Sequence, residues 1–142
     1  MTASLPPEIH RAIKVGASTA CLAEIRRFVE EVGVEVALDL ERIFDLKVAV
    51  SEACANAVEH AGCDAMSLDV CARLQAQRLT FTVTDTGLFR PPSPRWDRMS
   101  SRGLGLPLMV ALMDEVTFVR TPGGGTAVSL SVLLDRDMSP PA

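Results

Sequence analysis

The strongest constraint on the fold is a change of hydrophobic period near Gly62. Before this residue, apolar side chains recur at the spacing of amphipathic helices, and after it they alternate as in strands. Gly62 itself is a suitable helix terminator. Two helices are therefore predicted. The first contains Leu22, Ile25, Val29 and Val32 and stops near Gly33, and the second runs from about Asp39 to His60.

The second half of the chain predicts four strands and one more helix. A hairpin around residues 74–77 joins the first two strands. Pro107 suits the first turn of the helix that contains the apolar run 108–113. The last two strands begin at Val116 and Thr126. Because short turns link the strand pairs, the sheet should be mostly antiparallel. Helices on one face of this mixed sheet give an α+β two-layer sandwich.

Length and charge narrow the class of protein. The 142 residues suit one domain, for which we expect bounds of 8–134 with flexible termini at 1–7 and 135–142. A net charge of −4 without a basic stripe argues against a nucleic-acid surface. No apolar run reaches the roughly 18 residues of a membrane helix. Because no secretory signal opens the sequence either, we expect a cytoplasmic protein.

The four cysteines show no metal-binding spacing. Cys21, Cys54, Cys63 and Cys71 include no C-x-x-C pair, and no histidine lies at zinc-finger spacing. We expect reduced, mostly buried thiols.

The second helix carries a polar stripe. Glu52, Asn56 and His60 lie four residues apart, so they share one side of the helix among small alanines. A carboxylate and an amide oxygen one turn apart could hold Mg²⁺ or its water ligands, since magnesium takes few protein oxygens. A solvated helix face that carries polar residues by chance has the same pattern.

Two polar residues fall on the apolar side of predicted strands. Asp85 shares parity with Leu79 and Phe81, and Thr126 shares it with Val128. A carboxylate facing an apolar layer needs a partner, such as the amine of a ligand. Alternatively, Asp85 caps its own turn and Thr126 bonds locally.

A long irregular stretch, residues 86–101, precedes the glycines of the next segment. A loop of this length in a compact domain is usually functional or disordered. Arg102-Gly103-Leu104-Gly105 then opens a helix, where close backbone approach and the helix N-terminus favour an anion such as phosphate. A flexible glycine turn is the alternative.

The order of these features resembles the Bergerat-fold, or histidine-kinase-like, ATPases. An E-x-x-x-N helix, a strand ending in D-x-G, a long loop, R-G-x-G before a helix and a G-T strand start follow one another over roughly residues 8–134. The stretch 56–61, the short length and the N-terminal helix are most similar to anti-sigma-factor serine kinases.

The resemblance implies a role for each residue of these motifs. Asn56 would ligate a Mg²⁺ ion bridging the ATP phosphates, and Glu52 would act as general base or hold a metal-bound water. The phosphates would lie against Arg102, Gly103 and Gly105, which in this family belong to the lid, the segment that covers the bound nucleotide.

The adenine pocket would be built from three further residues. Asp85 would accept a hydrogen bond from the adenine amino group, Gly87 would leave room beside the base, and Thr126 would support the pocket. One departure concerns the lid: the family pattern D-x-G-x-G reads Asp85-Thr86-Gly87-Leu88-Phe89 here, without the second glycine.

The implied function is phosphoryl transfer from Mg-ATP to a serine or threonine of an anti-anti-sigma (STAS-domain) protein. Such a kinase also holds a sigma factor and commonly works as a homodimer. Three alternatives remain: a non-catalytic switch acting by protein binding, with or without ATP; a detached histidine-kinase catalytic domain; and a purely structural α/β domain.

Overall fold

The computed structural model describes residues 8–16, 21–61, 67–85, 105–120 and 126–134, with the side chains of 58–61, 105–106 and 120 excepted. These ranges contain three helices and five strands. In chain order they are β1 (Ile9–Gly16), α1 (Cys21–Glu35), α2 (Leu40–Ala61), β2 (Ser67–Gln75), β3 (Arg78–Asp85), α3 (Gly105–Leu112), β4 (Glu115–Arg120) and β5 (Thr126–Leu133).

The strands form one sheet in the order β1-β2-β3-β5-β4. All four pairings between these strands are antiparallel. Strand β5 therefore lies between β3 and β4, an insertion that the sequence pattern does not reveal. The predicted α+β two-layer sandwich is confirmed, with an antiparallel rather than a mixed sheet in the described part of the chain.

The core lies between the helices and one face of the sheet. Phe81, at the centre of β3, is fully buried and meets the ring of Phe28 edge-on, with centroids 6.1 Å apart. The opposite face carries paired hydroxyls: Thr80 and Ser131 lie 2.9 Å apart, and Thr82 and Ser129 lie 3.1 Å apart. This contrast follows from the strand period of two, which sends alternate side chains to opposite faces.

The edge strand β1 was not predicted from the sequence. Its apolar residues Ile9, Ile13 and Val15 share one parity, but Arg11 interrupts the pattern at an inward position. The guanidinium of Arg11 bonds to Glu35 at the end of α1, which accommodates a charge on that face. The interruption hides the alternation that would have indicated a strand.

The turn between β2 and β3 confirms the predicted hairpin. Ala76 and Gln77 have φ values of 52° and 66°, and Gln75 pairs with Arg78 across the turn. Two consecutive left-handed residues are typical of a type I′ turn, whose twist suits antiparallel strands.

Helix α1 ends at Glu35, close to the predicted stop near Gly33, although Gly33 itself lies within the helix. The chain turns at Ala37, whose φ is 63°, and Leu38 N–H donates to the Gly33 carbonyl over 2.9 Å. This is a Schellman-type end with alanine where glycine is usual. Gly33 instead permits close helix packing, since a Cβ there would lie 2.6 Å from Ile43 Cγ1.

Helix α2 begins at a side-chain cap. Asp39 Oδ1 accepts a hydrogen bond of 2.8 Å from the backbone N–H of Arg42, three residues into the helix. The two helices thus form an α1–α2 hairpin with a defined turn.

Several sequence predictions lie outside the described residues. These are the terminator Gly62, the long loop 86–101 and the flexible termini, so the domain bounds of 8–134 stay a prediction. Helix α3 starts at Gly105, which confirms Pro107 in its first turn. None of the helices in the described ranges has both the length and the apolar character needed to cross a bilayer.

We predict that Gly33→Ala destabilises the protein although alanine is the better helix former. The added Cβ would collide with the buried Ile43 side chain, and overpacking of this kind costs about 1–3 kcal/mol, more than the roughly 1 kcal/mol gained in helix propensity. Urea denaturation followed by circular dichroism measures the change.

Ala37→Gly, in the same hairpin, is the matched control. Glycine adopts the left-handed conformation of residue 37 without the steric cost of a Cβ, so stability should rise by about 0.5–1 kcal/mol. A higher denaturation midpoint for Gly33→Ala would contradict the packing role of Gly33.

Candidate functional site

Helix α2 places Glu52 and Asn56 at the margin of the core. Its buried stripe includes Leu46, Val50 and Ala53, which are at most 1% exposed. Glu52 and Asn56 lie beside this stripe and are half-buried. A helix face that only meets solvent would leave these two side chains exposed, so their partial burial shows that neighbouring parts of the protein lie against them.

The direction of α2 follows from one contact near its start. Arg42 Nη2 donates to the Leu133 carbonyl over 3.1 Å, so the beginning of α2 lies where β5 ends. The helix packs on β3 and β5 and is 22 residues, or about 33 Å, long. Its second half, with Glu52 and Asn56, therefore extends toward the opposite end of these strands.

Asp85 and Thr126 occupy that opposite end. The register of β3 and β5 runs as far as Thr84 opposite Ala127, so the next residues along the two antiparallel strands are Asp85 and Thr126. Both side chains are half-buried. On its other side Asp85 is paired with the fully buried Leu68 of β2. The inward parity predicted for Asp85 and Thr126 is confirmed.

Helix α3 brings its N-terminus to the same end. Its C-terminal end is held beside the end of β5, because Asp114 N–H donates to the Ser131 carbonyl (2.9 Å) and Asp114 Oδ2 accepts from Leu133 N–H (2.7 Å). Met109 is fully buried and α3 packs on α2. The start of the helix at Gly105 thus points away from Leu133, toward the end that holds Asp85.

The chain leaves this end of the sheet at Asp85 and returns to it at Gly105. The intervening residues include Gly87, Arg102 and Gly103, which lie outside the described part. Four described elements therefore converge: the second half of α2, the end of β3, the start of β5 and the start of α3. They supply two carboxylates, an amide, a hydroxyl and a helix N-terminus, a chemistry that suits a phosphorylated ligand with a polar ring.

A model of the histidine kinase-like ATPase domain family matches residues 15–132. The chain belongs to this family. The match spans α1 to β5, and thus every element that contributes to the convergence just described.

Individual members agree with this assignment. A Bacillus velezensis protein named serine-protein kinase RsbW is 34% identical over 131 residues, which cover 82% of each chain. An anti-sigma F factor of Pasteuria penetrans is 36% identical over 105 residues, covering 64% of this chain and 68% of that protein. The predicted resemblance to anti-sigma-factor kinases is confirmed by these relatives.

The fold agrees as well. The crystal structure of the RsbU and RsbW domains of a Mycobacterium tuberculosis protein superposes with a TM-score of 0.68 at 28% identity. The superposition covers 91% of this chain and 33% of that longer chain. The ATPase-family protein described here thus corresponds to about a third of that chain.

The donor set fits a metal that arrives with a ligand. Within the described ranges no group of three or more histidine, cysteine or acidic side chains could hold a metal ion. Glu52 and Asn56 offer only one carboxylate and one amide oxygen. This fits Mg²⁺, which takes one or two protein oxygens and completes its shell with phosphate and water.

Sequence reasoning missed the support beneath Glu52. The neighbouring Ser51 is buried at 7% exposure, and its hydroxyl accepts a hydrogen bond of 3.1 Å from Arg26 Nε on α1. A second link, Lys47 to Glu30 at 3.1 Å, joins the same two helices. The only sequence signal was a lone serine in an otherwise alanine-rich helical stretch.

Cys54 lies between Glu52 and Asn56 but on the buried side of α2. Burial, and secondarily the nearby Cys21, raise the pKa of its thiol from the ordinary 9.0 to about 12. Cys21 is also buried and Cys71 half-buried, and all three are free thiols, as expected; Cys63 lies outside the described residues. A thiol with a raised pKa is a poor nucleophile, which indicates a packing role for Cys54.

We predict that Cys54 makes stability fall as pH rises above 9. The thiol ionises near pH 9 in the unfolded chain but only near pH 12 in the folded one, so between these values the unfolded state binds fewer protons and is favoured. The free energy of unfolding of Cys54→Ala should decline less steeply than that of wild type from pH 9 to 11. Parallel slopes in urea titrations would contradict the raised pKa.

Proposed function

We propose that this protein is an ATP-dependent serine/threonine kinase that phosphorylates an anti-anti-sigma (STAS-domain) protein and thereby controls a sigma factor, acting as a homodimer. Nucleotide and Mg²⁺ bind at the end of the sheet where β3 finishes and β5 begins. The observation that carries the proposal is the alignment of Asp85 with Thr126 on the inward face, at the end of the molecule toward which Glu52 and Asn56 extend.

The adenine end of the ligand is assigned to the strands. Asp85 ends β3 at an inward, half-buried position, so the amino group of a nucleobase can donate to a carboxylate that solvent reaches only in part. Thr126, opposite, supports the same pocket with its hydroxyl. Gly87 follows Asp85 closely enough in sequence to leave space beside the base.

The phosphate end is assigned to the helices. Asn56 would hold the Mg²⁺, which would neutralise phosphate charge, and Glu52, one turn earlier, would act as general base or hold a water of the metal. The N-terminus of α3 at Gly105 faces the phosphates, and Arg102 and Gly103 precede it in the chain. Phosphoryl transfer needs positioning and charge neutralisation above all, and these groups are of the right kind.

The relatives support the reaction class and the pathway. Serine-protein kinase and anti-sigma F factor are the names of proteins that are identical to this chain at about a third of the aligned residues. The hydrogen bond from Arg26 to Ser51 fixes the backbone of α2 next to Glu52, which suits a helix that has to position a catalytic side chain.

We predict Mg-dependent ATP binding that requires Asp85 and Asn56. Asp85→Ala should weaken binding by roughly 10- to 100-fold, the value of a buried hydrogen bond to a charged group. Asn56→Ala should weaken binding about tenfold or more with Mg²⁺ and little without it. Calorimetric titration with ATP, with and without Mg²⁺, measures all of these affinities.

Asp69→Ala is the matched control for Asp85→Ala. Asp69 follows Leu68 on β2, but it points to the other face of the sheet and pairs with Lys14 at 3.1 Å. ATP affinity should stay at the wild-type level in this variant. Absence of ATP binding to the wild type would overturn the proposal and favour a nucleotide-independent binding module.

We predict that Glu52→Gln strongly slows phosphoryl transfer while keeping ATP affinity. Loss of a general base should slow transfer about 10²- to 10⁴-fold. The assay mixes the protein, γ-labelled ATP and STAS-domain proteins from the same genome. Glu24→Gln, which changes an exposed acidic residue in the first turn of α1, should leave the rate unchanged.

The assay also separates the alternatives. Tight ATP binding with no transfer to any STAS protein would favour a non-catalytic partner-switching regulator, which the missing second glycine after Gly87 makes a real competitor. Label that is stable in base but lost in acid would mark a phosphohistidine and a detached histidine-kinase domain.

A further inference from the structure

Three large apolar side chains are exposed together at the turn end of the α1–α2 hairpin. Val34 is 63% exposed, Leu40 81% and Phe44 63%. Val34 lies in the last turn of α1, Leu40 is the first residue of α2, and Phe44 follows one helical turn later. We call these three residues the hairpin patch.

The hairpin patch belongs to a rigid part of the molecule. Gly33 and Ile43, which directly precede Val34 and Phe44, are buried and in close contact with each other. The turn between the helices is fixed by the hydrogen bond from Leu38 to Gly33 and by the Asp39 cap. The exposure of these apolar side chains is therefore a property of the folded surface, and a partner that covered them would remove apolar area from water.

The surroundings of the patch are acidic. Residues 30–47 contain six carboxylates and two cations, a net charge of −4, which equals that of the whole chain. Both cations are engaged: Lys47 pairs with Glu30, and Arg42 donates to the Leu133 carbonyl. Within the described part of the chain, Glu31, Glu41 and Asp45 make no hydrogen bond or ion pair.

We propose that the hairpin patch is a docking site for a protein segment in which apolar side chains are flanked by lysine or arginine. Apolar side chains of the partner cover Leu40 and Phe44, and its cations face the free carboxylates, of which Glu41 is nearest to the patch in sequence. Complementary charge of this kind speeds association and selects the partner. A second copy of this chain is the wrong occupant, because two acidic hairpin ends would repel each other.

The hairpin patch is separate from the proposed nucleotide site. Phe44 and Asn56 are twelve residues apart on α2, which is about 18 Å along the helix. A partner segment can therefore dock while the nucleotide site stays accessible. Failure of ATP binding and failure of docking are measured independently.

The test uses a synthetic amphipathic helical peptide with leucines at i and i+4 flanked by lysines, and a twin peptide with glutamates in place of the lysines. Fluorescence anisotropy gives the affinities. Phe44→Ser should weaken binding of the lysine peptide about tenfold or more. Val110→Ser, which removes another exposed apolar side chain (59% exposed, on α3), should not change it. The glutamate peptide should not bind.

Charge and location are tested separately. Glu41→Lys should weaken binding of the lysine peptide and flatten its salt dependence. Amide shifts in ¹⁵N spectra should centre on the turn between α1 and α2.

Three results would overturn the proposal. The first is no binding of the lysine peptide. The second is binding of the lysine peptide that Phe44→Ser leaves unchanged, which would mean nonspecific electrostatic attraction between a cationic peptide and an acidic protein. The third is a wild-type dimer that Phe44→Ser dissociates in sedimentation experiments, which would assign the hairpin patch to self-association.

Discussion

Burial of one side of helix α2 against the sheet is the interaction on which the rest of the structure depends. This helix packs between α1 and α3 and also contacts β3 and β5. Leu46 and Val50 fill the space above the sheet, while Ala53 allows the backbone to come close where α2 passes over the core. Fixing this stripe fixes the rotation of the helix, and with it the direction of every other side chain that α2 carries.

The candidate site is a consequence of that rotation. Glu52 and Asn56 are displaced around the helix from the buried stripe, so they are partly covered without being enclosed. Had they lain on the stripe itself, a carboxylate would have entered an apolar core at prohibitive cost. The opposite displacement would have left them in bulk water, where two oxygen ligands hold magnesium weakly. The intermediate position leaves both groups partly accessible, as the proposed nucleotide site requires.

Much of this could be predicted from the sequence, because local periodicity records which side of an element is buried. The three helices, the β2–β3 hairpin and the inward parity of Asp85 and Thr126 all follow from local pattern. What could not be predicted was non-local. The position of β5 between β3 and β4 has no signature in the local sequence. Strand β1 was missed because Arg11 occupies an inward position, where its charge is balanced by Glu35, a residue distant in sequence. Likewise Gly33 suggested a helix end, whereas its actual role is set by contact with Ile43.

Helix α2 also connects two surfaces of opposite character. Toward its end it presents a carboxylate and an amide beside the strand ends, and toward its start it exposes Leu40 and Phe44 among acidic groups. The links from α1, Arg26 to Ser51 and Lys47 to Glu30, fall between the two surfaces. The two links hold α2 in one rotation relative to α1, so the exposed apolar residues at its start and the polar pair near its end are set by the same packing.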